Sequence, residues 1–372
     1  MSYTTVSNIF CRKVAAICVG LLAIVSSLSA YTDSGAEHQT AQAWPISLGC
    51  SGGNILDKTS MYCCSGTLGS LVKDANGTLY ILSNNHVLAR SNQAALGEDV
   101  NHPGMIDQNC GTSGVVADLS KFVTLKFKSG RSVPLNTVDA AIAQIRSGAV
   151  RTDGFILDIG TLSANTVDAF VGQAVQKSGR TTGYTVGSVD AVNVTVDVGY
   201  SKSCGGAANQ VARFVNQIRI TPGSFSAGGD SGSLIVEAGT VDPTTGKPRA
   251  VGLLFAGSSS STLANPISSV LSSLGVSMVG QTGAALASST SQPTAEAQRT
   301  ALATATAVKE RNSARLFAVP GVIGHGATVD DKGNPVIEVY VAADNAARAQ
   351  DVPKQLEGVS LRTVVTDRFV AF

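Results

Sequence analysis

Gly228-Gly229-Asp230-Ser231-Gly232-Ser233, late in a chain of 372 residues, decides how the rest is read. Its glycines free the backbone to turn sharply, so N–H groups can point outward beside a serine. A serine hydroxyl is a weak nucleophile until an imidazole takes its proton. The imidazole in turn needs a carboxylate to hold its tautomer and stabilise its charged form. Both partners stand upstream. Leu82-Ser83-Asn84-Asn85-His86-Val87 places a histidine directly after an apolar strand, and Val138-Asp139-Ala140-Ala141-Ile142 opens another strand with an aspartate. Each piece alone reads as a loop residue, a cap or a common turn. Their joint order predicts His86 as general base, Asp139 as its orienting carboxylate and Ser231 as nucleophile. The N–H groups of Gly229 and Ser231 are the expected oxyanion donors, and losing one such donor typically costs about 10²–10³ in turnover.

Outward from these motifs, residues 44–280 read as many short strands separated by Gly, Asn, Asp and Ser. Expected strands lie at 67–72, 78–82, 122–127, 140–145, 184–198, 217–220, 233–236 and 250–255. Asp74-Ala75-Asn76-Gly77 is the hairpin turn between the first two. Helical periodicity is nearly absent until a short helix at 266–274. The pattern is that of a β-barrel or sandwich. Abundant glycine (39 residues) and sparse charge (14%) suit turn-rich β structure. The formal net charge of +1 carries no basic surface of the kind nucleic acid requires.

The N-terminus reads as an export leader over 1–30. Arg12-Lys13 precedes an uncharged, mostly apolar run at 14–28, and Ser27-Leu28-Ser29-Ala30 offers small residues for cleavage. The run is short for a membrane span, so no membrane contact is expected once the leader is gone. A flexible stretch at 31–43 follows. The mature chain would keep Cys50, Cys63, Cys64, Cys110 and Cys204, an odd set that allows at most two disulfides and one thiol. Cys50 with Cys63 or Cys64 is the expected local bridge. No metal is expected: Cys63-Cys64 lacks ligand spacing, and His38, His102 and His325 are read as isolated loop residues. Trp44 is read as a core anchor at the domain start.

Residues 281–293 form a Gly/Ala/Ser/Thr linker. The segment 294–372 then changes character: an alanine-rich helix at 295–315, strands at 322–329 and 335–341, a short helix at 345–355 and a last strand at 361–370. This predicts an α+β accessory domain separate from the barrel. Its apolar end, Phe369-Val370-Ala371-Phe372, permits two readings. In one it completes a sheet. In the other the module docks on the rest of the chain and the tail lies in the cleft like a product.

The three motifs resemble those of the chymotrypsin-like (trypsin-like) serine peptidases over about residues 44–280. Lys177-Ser178-Gly179-Arg180-Thr181-Thr182-Gly183-Tyr184 resembles the secreted bacterial branch that includes α-lytic protease. The resemblance implies an all-β double barrel with the triad in the cleft between the barrels. It implies a secreted or periplasmic serine endopeptidase acting on protein or peptide substrates without a cofactor. It also implies an Arg180–Asp230 ion pair beside the nucleophile, because a buried carboxylate there is costly unless paired. Three positions depart from the family pattern: Asn85 replaces a small residue, Val87 a cysteine, and Phe255 the serine that supports the catalytic aspartate. Phe225 falls where trypsin carries its specificity acid. Phe225, Ala227, Phe255, Ala256 and Gly257 are therefore the expected substrate pocket, favouring small or medium hydrophobic side chains. Two rival readings remain: a non-catalytic binding or adhesion protein on a peptidase scaffold, for which Phe255 speaks, and a peptidase limited to cleaving its own chain.

Overall fold

The computed structural model describes residues 36–283 and 293–372. The leader expected over 1–30, the start of the 31–43 stretch and most of the 281–293 linker lie outside the described residues.

The first sheet has eight strands in the order Ser277–Met278, Ser70–Lys73, Leu79–Ser83, Ala141–Ile145, Val115–Phe122, Asp99–Asn101, Cys50–Asn54 and Gly66–Leu68. Every neighbouring pair is antiparallel. The expected turn is made by Asp74, whose Oδ1 accepts the N–H groups of Asn76 and Thr78 at 2.9 Å each, while Gly77 takes φ +84°. Ile46, Leu71, Ile81, Val100, Val116 and Ala143 fill the interior.

The second sheet closes on itself. Gly183–Tyr200 pairs with Ala174–Gly179, and pairing then runs through Leu234–Glu237, Ala250–Gly257, Thr262–Pro266 and Gln210–Thr221 back to Gly183–Tyr200. Closure leaves this ring no unpaired edge. The two sheets meet at a third cluster, where Leu82, Val138 and Ile142 pack with Leu234, Leu253 and Ile267. They approach closely beside Ser231. A Cβ on Gly69 would strike the Gly232 carbonyl, and one on Gly232 would strike Ser83 and Thr67. The helix Ile267–Leu274 follows, burying Ile267, Val270 and Leu274 and ending at Gly275 with φ +74°.

The C-terminal segment is not a separate body. Its strands Val322–Val329, Pro335–Ala342 and Val359–Thr366 continue the second sheet, because Val322–Val329 pairs antiparallel with Gly183–Tyr200 through Val192↔Ala327 and Thr195↔His325. Leu302, Val308 and Ile337 share one core with Val189, Ile218 and Leu254 of the barrel. The boundary expected at 294 is therefore a boundary in sequence composition, not in packing. The last strand, Phe369–Ala371, enters the barrel mouth: it runs parallel to Gly183–Tyr200 and antiparallel to Ala250–Gly257.

Several local expectations change. The strand placed at 122–127 is Val115–Phe122, and the chain beyond it is held by side chains, with Leu125 N–H on Asn92 Oδ1 and Lys126 N–H on Asn136 Oδ1. The helix at 345–355 is a 3₁₀ segment, Ala343–Asp351. The strand at 361–370 breaks at Asp367-Arg368 into Val359–Thr366 and Phe369–Ala371. Trp44 is half exposed, not core. His38 and His325 are buried, the first with Nδ1 2.8 Å from Gly49 O, the second inside a strand. Two disulfides form, Cys63–Cys110 and Cys64–Cys204, so Cys50 does not bridge to either neighbour. Its buried thiol donates to Ser47 O at 3.2 Å, beside His102 Nδ1.

Candidate active site

His86 lies in the turn Asn85–Leu88 that follows strand Leu79–Ser83, and Asp139 precedes strand Ala141–Ile145. These strands are neighbours with Ser83 opposite Ala141, a register that sets the two side chains together. His86 Nδ1 is 2.6 Å from Asp139 Oδ2, and the His86 backbone N–H donates to Asp139 Oδ1 at 3.2 Å. Asp139 is fully buried. Its main chain is fixed from both sides: Asn265 Oδ1 accepts its N–H at 3.0 Å, and its carbonyl accepts from Asn84 Nδ2 at 2.7 Å.

The serine that Phe255 displaces has a substitute. Tyr200, at the end of the long strand Gly183–Tyr200, donates its hydroxyl to Asp139 Oδ2 at 2.8 Å. Burial and the adjacent Asp139 charge push the phenol well above its ordinary range, so it stays a donor. The Phe255 ring sits 4.8 Å from that of Phe214, which stacks on Tyr200 at 6.2 Å. Phe255 and Tyr200 are thus linked through the Phe214 ring between them. Asn85, the second departure, is buried and donates to Asn92 Oδ1 and Val123 O at 2.8 and 2.7 Å, anchoring the loop behind the histidine.

Ser231 lies between a 3₁₀ turn, Gly223–Phe225, and strand Leu234–Glu237. Gly229 and Gly232 take φ +98° and +94°, values that only glycine adopts without strain. The Asp230 N–H is spent on Ala227 O and that of Gly232 on Leu254 O. Those of Gly229 and Ser231 have no acceptor among the described residues. Ser231 Oγ donates to Phe255 O at 3.2 Å, and no bond joins it to His86 among the described residues. His86 Nε2 instead meets the carbonyl oxygen of Phe372 at 3.1 Å.

Burial opposes the imidazolium at His86, but the charge and hydrogen bond of Asp139 outweigh it, aided by Phe372 O and Asp57. The net result holds the ring above its ordinary value. Asp57 lines the same cleft, which is bordered by His86, Tyr200, Ala371 and Phe372. Burial lifts its carboxyl to about 6 against the charges of Arg90 and His86.

The Arg180–Asp230 pair is corrected. The Arg180 guanidinium grips Asp107 with two bonds of 2.7 and 2.6 Å. Asp230 is buried and held by Thr181 N–H (2.8 Å), Thr182 Oγ1 (2.7 Å) and Ala227 N–H (2.9 Å), with Lys177 Nζ at 3.5 Å. Lys177, wholly buried inside the barrel, is the cation that balances it. Of the expected pocket residues, Phe225 and Phe255 are packed into the barrel core. Gly257 faces the cleft, because a Cβ there would run into the Phe372 ring.

Sequence reasoning missed Tyr200, Lys177 and Asp107 as partners of the site. Lys177 stood in the quoted 177–184 stretch without an assigned role, whereas Tyr200 lies in no motif.

Among solved structures, the chain is similar to a serine protease specific for glutamic acid, at 24% identity over 63% of this chain and 100% of that one, with a TM-score of 0.41. It is also similar to protease A of Thermobifida fusca, at 18% identity over 63% and 99% of the two chains (TM-score 0.39). For the Nocardiopsis protease the values are 16%, 57% and 92%, with a TM-score of 0.38. No protein-family model and no curated protein sequence matches the chain.

Proposed function

We propose that this chain is an exported serine endopeptidase. The observation that carries the reading is the His86–Asp139–Tyr200 arrangement set where the two sheets meet, in a chain whose Ser231 is framed by glycines. In this mechanism Ser231 Oγ attacks the scissile carbonyl as His86 Nε2 takes its proton, and Asp139 stabilises the imidazolium. The oxyanion is received by the N–H groups of Gly229 and Ser231. His86 then returns the proton to the leaving amine, and water releases the acyl-enzyme by the same route. Substrates are proteins or peptides. Export is part of the proposal, since disulfides persist in oxidising compartments.

We infer also that the C-terminal module docks as an intramolecular inhibitor. Phe372 O occupies the hydrogen-bonding position of His86 Nε2 that the nucleophile needs. The Ser231 hydroxyl is turned to Phe255 O.

The test is labelling of the full chain with a fluorophosphonate probe, with Ser231→Ala and Phe372→Gly alongside. Labelling abolished by Ser231→Ala, and faster in Phe372→Gly, is the expected pattern. No labelling in any variant would put the binding-protein reading ahead. Equal rates with and without the Phe372 ring would remove the inhibitor role.

A further inference from the structure

The segment that fills the cleft carries information about what the cleft is shaped to accept. Phe369–Ala371 lies antiparallel to Ala250–Gly257 with Ala256 opposite Ala371 and Gly257 opposite Val370. An extended peptide held in this register presents its next carbonyl, that of Phe372, to the catalytic imidazole, and the distance is 3.1 Å. Phe372 is thus placed like the acyl-side residue of a released product, its carbonyl on the imidazole and not on the N–H groups of Gly229 and Ser231.

Its ring settles against the one expected pocket residue that has no side chain. A Cβ on Gly257 would collide with the ring edge at two atoms, so glycine here is what opens the space. Beyond it, Phe372 packs on the cluster that contains Phe225, Ile220 and Leu254. Aromatic rings against an apolar floor gain from burial of their large area and from edge contacts with other rings.

We infer that the cleft selects an aromatic residue, phenylalanine foremost, on the acyl side of the cleaved bond, and that Gly257 is the residue determining this choice. The inference rests on the peptidase reading. It replaces the expectation of small or medium side chains, which followed from setting Phe225 in the pocket itself beside Ala227, Phe255, Ala256 and Gly257. Phe225 is instead part of the wall, drawn into the core against Gly187 and Ile220.

The test uses the full chain carrying Phe372→Gly, so that the tail competes less. Four chromogenic peptides are compared, Val-Ala-Phe, Val-Ala-Val, Val-Ala-Glu and Val-Ala-Arg, each with the same leaving amine. A kcat/KM for Phe about 10- to 200-fold above that for Val is expected, the range that differences in apolar side-chain size bring to a fitted pocket. Adding Gly257→Val should invert the Phe:Val ratio, while fluorophosphonate labelling reports the nucleophile independently. Val, Glu or Arg matching Phe, or a ratio indifferent to Gly257→Val, overturns the inference and leaves the peptidase reading standing if Ser231 labels. Absence of both labelling and cleavage brings both down together.

Discussion

The Tyr200 hydroxyl, buried with Asp139 and 2.8 Å from its Oδ2, is the side-chain donor that the proposed catalytic carboxylate has where position 255 carries no serine. Tyr200→Phe keeps the ring packed on Phe214 and deletes only that bond. Asp139 Oδ2 keeps its contact with His86 Nδ1, and losing one hydrogen bond to a charged group costs about 1.5–3 kcal/mol, so kcat/KM should fall about tenfold or somewhat more. A less stabilised Asp139 charge also draws the proton on His86 more tightly. In the proposed mechanism the base is the neutral His86 imidazole, whose proton is already held above the ordinary histidine value. The acid limb of the pH–rate profile is thus expected above about 6.5, and Tyr200→Phe should move it higher still. Linkage has the opposite sense: the His86 proton contributes stability fully below the unfolded value, and that contribution is lost as pH rises through the raised folded one. A limb that stays put in Tyr200→Phe would show that Tyr200 only packs. At this scale the pairing of His86 with Asp139 was legible because each sits in a local motif. Tyr200 was not, since its partner lies 61 residues away and is chosen by strand register. Arg180 was misassigned for the same reason: the 3₁₀ turn Met105–Gln108 delivers Asp107 to it, which no pattern around Arg180 announces.

Among elements, the two disulfides differ in what they join. Cys63–Cys110 staples the first sheet to itself across 47 residues, whereas Cys64–Cys204 ties that sheet to the loop between Gly183–Tyr200 and Gln210–Thr221, 140 residues on. Both Cys64 and Cys204 border the cleft beside His86. In the chain-entropy picture the longer closure is worth about 5 kcal/mol and the shorter about 4 kcal/mol. Replacing Cys64 and Cys204 by serine should therefore lower Tm more than replacing Cys63 and Cys110, measured by thermal unfolding under identical conditions. The reverse ranking would mean that the inter-sheet contacts hold the loop without the bond. The hairpin at 67–82 was readable from alternation and an Asp-Ala-Asn-Gly turn. Strand Cys50–Asn54 was not, because Cys-Ser-Gly-Gly-Asn carries no alternating apolar signal and is stabilised by burial on both faces. The bridge partners were equally hidden, since five cysteines fix how many bonds can form and not which.

For the whole molecule, the decisive fact is that one closed barrel shares its sheet and its core with the C-terminal segment. Sequence composition divides these parts at the linker, but composition does not record which strand edge a later strand will find. The join is tight at two glycines. A Cβ on Gly326 would press on the Tyr340 hydroxyl at 2.7 Å and on Val194 at 2.9 Å, and one on Gly324 would press on Thr195 O at 2.8 Å. Gly326→Val should thus wedge strand Val322–Val329 away from Gly183–Tyr200, at an overpacking cost of about 1–3 kcal/mol. Part of that strain is relieved when the module lifts. A tail held by the same sheet then leaves His86 more often, raising the population of the open cleft by up to about 5- to 150-fold. The expected outcome is faster fluorophosphonate labelling of Ser231 in Gly326→Val, with a lower Tm read in the same sample. A lower Tm without faster labelling would separate the two roles, leaving the shared sheet as a source of stability and not as the hold on the cleft.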